Sequence, residues 1–123
     1  MRLLFLGKDS TPGESPTLYR TDADSYIVQG WIVSDPDVLA LLTLTDDETV
    51  VEVTPKLMDF LTEDGRGPVR HLVPPIVHVL ENSNYIVRGT RVTDPETLAQ
   101  MNIPDHETCV LIPVSTMLLL TGG

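Results

Sequence analysis

Hydrophobic and polar positions along this chain fall into short bursts separated by punctuating residues, and each burst has a period. Thr17–Arg20 reads as a short strand, and the polar segment Thr21–Ser25 as a hairpin turn. Tyr26–Val33, dense in β-branched and aromatic residues, pairs back on it. Within that strand Tyr26, Val28, Gly30 and Ile32 share one face, and Ile27, Gln29, Trp31 and Val33 the other. Ser34-Asp35-Pro36 supplies an N-cap and a proline suited to a first turn, which predicts a helix over Pro36–Leu42. An acidic loop, Thr45–Glu48, leads into a third strand, Thr49–Val53. Thr54-Pro55 then opens a helix running through Leu61. The unit is ββαβα, preceded by an extra strand over Arg2–Leu6.

The same pattern returns. Displacing the chain by 59 positions aligns Pro16–Leu61 with Pro75–Leu120 without a gap, with 16 of 46 positions identical. Tyr26-Ile27-Val28 meets Tyr85-Ile86-Val87, Gly30 meets Gly89, and Asp35-Pro36 meets Asp94-Pro95. Asp46, Glu48-Thr49 and Val51 meet Asp105, Glu107-Thr108 and Val110. The second copy therefore predicts strands at Ile76–Leu80, Tyr85–Val92 and Thr108–Ile112, with helices at Asp94–Met101 and from Val114. The expected fold is α+β, two tandem ββαβα-like repeats packed as an intramolecular pseudo-dimer. Residues 1–61 form the first repeat with its leading strand, 62–74 a polar Gly/Pro-containing linker, and 75–123 the second repeat. A unit of this size is marginal alone, so the two should bury their apolar faces together as one cooperative domain.

Composition narrows the function. In 123 residues, 8 Lys and Arg face 18 Asp and Glu, a net charge of −10. Phosphate neutralisation requires a basic surface, so direct nucleic-acid binding is not expected. An anionic membrane surface is an equally poor partner. The apolar run at Leu3–Leu6 ends at Gly7-Lys8-Asp9, too short for a signal-peptide core, and no stretch is long enough for a membrane span. The expectation is a cytoplasmic protein.

Candidate chemistry is sparse. Asp46-Asp47-Glu48 and Asp105-His106-Glu107 lack the alternating pattern of a calcium loop and read as solvated turns. His71, His78 and His106 form no ligand spacing, so no metal site is expected. Cys109 aligns with Val50, which suits a buried small apolar position better than a nucleophile. No phosphate-binding glycine loop is present, and Gly30 and Gly89 suggest a bulge or close backbone approach. The terminal Gly122-Gly123 resembles a ubiquitin-like tail, but glycine after Leu120 is also a usual helix terminator. No catalytic residue and no cofactor are assigned. Trp31, with the polar Gln29 and its counterpart Arg88 marking its strand face as the more exposed one, is the best binding anchor. Gln29, Trp31, Asp46, Asp47 and Glu48 are the candidate partner-binding residues.

The segments Met1–Asp9, Ser15-Pro16-Thr17-Leu18-Tyr19 and Tyr26–Trp31 resemble a group of short uncharacterised actinobacterial proteins. The likeness is looser in the second copy, through Tyr85–Gly89 and Asp105–Thr108. Such proteins are often encoded near helix-turn-helix regulators, which implies an acidic accessory or antitoxin-like partner. The resemblance carries no catalytic residues. The tandem form departs from the shorter usual one, so the second copy can replace a second chain.

The functional expectation is a non-enzymatic acidic interaction module that binds a basic protein, acting as a pseudo-twofold monomer or weak homodimer. The alternatives are a small enzyme or ligand-binding protein with a pocket between the repeats, and a charge mimic of nucleic acid.

Overall fold

The computed structural model describes residues 1–9, 16–74 and 76–122. Ser15 of the Ser15–Tyr19 segment, Pro75 at the head of the second repeat, and Gly123 lie outside these residues. The fold is α+β, mostly antiparallel sheet with a few short helices.

The elements follow the patterning closely where it is strongest. Strands are β1 (Leu3–Lys8), β2 (Thr17–Thr21), β3 (Ser25–Ile32), β4 (Glu48–Val53), β5 (Val77–Val79), β6 (Tyr85–Arg91) and β7 (Glu107–Pro113). Helices are α1 (Pro36–Leu39), α2 (Pro55–Met58), α3 (Pro95–Leu98) and α4 (Val114–Thr121), with a 3₁₀ helix over Asp59–Asp64. Three helices are shorter than their patterns predict. α1 stops after one turn rather than at Leu42, because it buries no residue and packing, not propensity, sustains most short helices. α3 likewise ends at Leu98 with only Thr97 buried. The Pro55–Leu61 helix changes pitch after Met58 and continues as 3₁₀ to Asp64, ending at Gly65 in the left-handed conformation, φ 74°.

All seven strands join one sheet. β3 takes β7 along one edge, Ser25–Trp31 against Pro113–Glu107. Its other edge is divided: β2 pairs with Gln29–Tyr26, and β4 reaches Trp31 and Ile32. β6 is treated the same way, with β4 along one edge and β5 and β7 sharing the other. The pairs β3–β7, β7–β6, β6–β4 and β4–β3 therefore close a ring. β1 lies outside β2, bulged between Phe5 and Gly7.

Gly30 and Gly89 are explained by this closure. A Cβ on Gly30 would stand 2.5 Å from the Glu52 carbonyl oxygen, and one on Gly89 would stand 2.6 Å from that of Leu111. Backbone crosses backbone there, and no larger residue fits.

The ring interior is the core. Tyr26 and Val28 of β3, Val51 and Val53 of β4, Val87 of β6, and Val110 and Ile112 of β7 are buried there. Leu57, Met58, Leu61, Met117 and Leu120 close it from the helices. Each such side chain contributes roughly 1.5–3 kcal/mol by leaving water.

The 62–74 segment is tied to this body. Tyr26 donates its hydroxyl to Asp64 Oδ2 at 2.5 Å, and Arg66 Nε donates to the Tyr26 oxygen at 3.1 Å. Arg20 lies 3.5 Å from the same carboxylate, and its guanidinium sits 5.4 Å from the Tyr26 ring centre. Burial, then the Asp64 hydrogen bond, raises the Tyr26 phenol above its ordinary pKa. Further along, the Arg70 and His71 amides both donate to the Leu120 carbonyl, at 2.8 and 3.0 Å. Among the described residues, no helix is long and apolar enough to cross a membrane.

Candidate functional site

Two features of the surface combine chemistry with shape. The first is a groove of about 570 Å³ between α1 and the β5–β6 turn. α1 is set by its cap: the Asp35 carboxylate accepts the Asp37 amide at 2.9 Å, with Pro36 in the first turn. The β5–β6 turn is closed by the Leu80 amide on the Asn84 carbonyl at 2.8 Å and by Asn82 Oδ1 accepting the Asn84 amide at 3.0 Å. Ser83 takes the left-handed conformation there, φ 72°. The groove carries Asp35, Asp37 and Glu81 with the apolar Val38, Leu41, Val79 and Leu80, and among the described residues no Lys or Arg lines it. Leu41 is 77% exposed and Val79 50%.

The second feature is a pair of matched polar contacts on the outer face of the ring. Gln29 Nε2 donates to Glu107 Oε1 at 2.7 Å and to the Asn102 carbonyl at 3.0 Å. Arg88 Nε donates to Glu48 Oε2 at 3.0 Å, and Nη1 to the Thr43 carbonyl at 3.0 Å. The two contacts differ in enclosure. Gln29 is 1% exposed and the Glu107 side chain 0%. The Arg88 and Glu48 side chains are 23% and 22% exposed, beside a cavity of about 240 Å³. Glu48 is held below the usual carboxylate range, first by the Thr45 amide, then by the Thr45 hydroxyl and the Arg88 charge.

The expected binding residues are therefore dispersed. Gln29 is not an exposed contact residue: the segment carrying Asn102 and Glu107 covers its face of β3, so alternation identifies the face without saying what lies over it. Trp31 is half-buried, opposite Glu52 on one side and Glu107 on the other. Asp46 and Asp47 are exposed in the turn before β4, the Asp47 carbonyl accepting the Arg91 amide at 2.7 Å. Glu48 belongs to the Arg88 pair, and none of these five residues lines the acidic groove. The groove's own residues were legible only in part. Asp35 read as part of an N-cap, and the signal available for the rest was Leu41, apolar where the second copy has Gln100.

Cys109 is buried at 3% exposure, and burial pushes its thiol up to about 11, which suits a core position and not a nucleophile at neutral pH. Among the described residues, no three His, Cys, Asp or Glu side chains gather as a metal-binding group. No family model, curated protein or solved structure matches the chain.

Proposed function

We propose that this chain is a non-enzymatic acidic interaction module, built from two tandem ββαβα copies folded as an intramolecular pseudo-dimer. The architectural half of the reading is supported by pairing register. Adding 59 to each residue of the first half and subtracting it from each of the second turns Gln29–Cys109 into Arg88–Val50, and Trp31–Glu107 into Thr90–Glu48. The short pairs obey the same offset: Trp31–Glu52 corresponds to Thr90–Leu111, and Ile32–Val51 to Arg91–Val110. The polar contacts follow it too, since Gln29–Glu107 and Arg88–Glu48 interchange.

The functional half rests on the acidic groove. Three carboxylates line the groove together with an exposed apolar strip, and among the described residues no cation lines it to neutralise them. The occupant that fits is a short basic amphipathic segment of a protein partner, its apolar residues on Leu41 and Val79 and its Lys or Arg residues toward Asp35, Asp37 and Glu81. A DNA-binding regulator carries segments of that kind, which keeps the accessory or antitoxin-like role as the favoured biological setting. The net charge of −10 adds long-range attraction for such a partner and repels nucleic acid.

A labelled peptide of alternating Lys and Leu, titrated by fluorescence anisotropy, tests the reading. Binding should weaken with salt and drop at least roughly tenfold in the Asp35→Asn, Asp37→Asn, Glu81→Gln triple variant, as lost charge complementarity demands. Leu41→Ser should weaken it separately. Equal affinity for the triple variant and the parent would remove this surface as the docking site.

A further inference from the structure

We infer that the cavity beside Arg88 is a binding site for a small carboxylate with an apolar body. The two matched contacts differ in what they leave open. On β3 the position is a neutral Gln29, its partner Glu107 is enclosed, and nothing small can approach. On β6 the same position is a cation, partly open, at the wall of a cavity of about 240 Å³. That space equals roughly eight waters at liquid density, enough for a molecule of about ten non-hydrogen atoms.

Arg88 spends only part of its hydrogen-bonding capacity on the protein. Nε serves Glu48 and Nη1 serves Thr43, while among the described residues Nη2 has no hydrogen-bond partner. A guanidinium fixed on two sides with one amino group still available is a preorganised receptor for a carboxylate oxygen. Glu48 holds the guanidinium plane in place and accepts from it, so it acts as a positioning residue. The same cavity is lined by the apolar Ile76, Leu111, Ile112 and Pro113, by the Thr116 hydroxyl, and by the Glu48 carboxylate, whose charge is already paired with Arg88 through Nε. Arrangements of this type, mostly apolar with a few convergent polar groups, are how small-molecule sites are built. Thr90 stands at the lining where the first half has Trp31, so the bulk at that position differs between the halves.

The test uses the full chain and three probes of nearly equal shape: benzoate, benzamide and benzylamine. In ¹H–¹⁵N spectra, benzoate should shift the Gly89, Thr90 and Leu111 amides saturably, with a dissociation constant of roughly millimolar order. Benzamide should bind at least about tenfold more weakly, because it offers no charge to the guanidinium. Arg88→Gln places in β6 the side chain that β3 already accommodates, and should reduce benzoate affinity about tenfold while preserving signal dispersion. Thr90→Trp adds bulk on the strand face that also carries Arg88 and should lower affinity by narrowing the cavity. The inference is overturned by unsaturable or scattered benzoate shifts, by benzylamine binding at these amides in preference to benzoate, or by undiminished benzoate affinity in folded Arg88→Gln. The peptide experiment on the acidic groove reads a different surface, so either proposal can fail alone.

Discussion

Gln29 of β3 donates its side-chain amide to Glu107 of β7 at 2.7 Å, in a contact almost wholly removed from solvent. The same amide nitrogen reaches the Asn102 carbonyl, so one side chain fastens β3 to the segment that covers it. A buried polar group that loses its partner keeps the desolvation cost and loses the compensation. Gln29→Leu should therefore lower stability by about 1–3 kcal/mol. Urea unfolding measures it as a lower midpoint with an unchanged slope. An unchanged midpoint would mean that Glu107 and Asn102 are satisfied without Gln29.

The two crossing glycines make a paired prediction. Gly30→Ala and Gly89→Ala each place a methyl group 2.5–2.6 Å from a carbonyl oxygen of the adjoining strand, β4 for Gly30 and β7 for Gly89. Backbone cannot yield as a side-chain tip does, so each substitution should cost about 1–3 kcal/mol as an overpacked site. Thermal or urea unfolding of the two variants should give losses of similar size. A neutral result at either position would show that the strands there separate easily.

The Glu48 carboxyl predicts a pH dependence. Its pKa is depressed in the folded protein, by the Thr45 amide first and then by the Thr45 hydroxyl and Arg88. The unfolded chain therefore binds protons more readily here. The stabilisation is complete above the ordinary Glu value of about 4.3 and disappears as pH falls through the folded pKa. Glu48→Gln should be less stable than the parent at neutral pH, and the difference should shrink as pH falls below the ordinary carboxylate range. Asp94 is depressed in the same sense, chiefly by the Thr97 hydroxyl, but it titrates in both proteins and cancels from the difference. Unfolding curves across that range check the sign; a constant difference would detach Glu48 from the acid response.

Strand positions were readable because a period of two is local information. Tyr26–Val28 and Thr49–Val53 carry their β-propensity and alternation within a few residues, and the structure places strands over both. The repeat reinforced them, since a pattern seen twice is unlikely to be accidental. Cys109 was readable for the same reason: Val50 at the matching position states what the site requires. Helix lengths were less readable, because α1 and α3 end where contacts end, and a capping motif marks only the start.

The sequence by itself determined the alternating faces, the 59-residue repeat and the acidic balance, and it marked Gly30 and Gly89 as places of a bulge or a close backbone approach. Only the tertiary structure decided that β3 pairs with β7 and β6 with β4, so that each half completes the other's sheet. That choice depends on contacts between residues far apart in the chain, 78 positions for Gln29 and Glu107 and 40 for Arg88 and Glu48, and no local period encodes them. The same long-range pairing enclosed Gln29, left Arg88 beside a cavity, and set α1 against the β5–β6 turn to form the acidic groove. Charge could be counted along the chain, but where it gathers depends on which distant segments fold together.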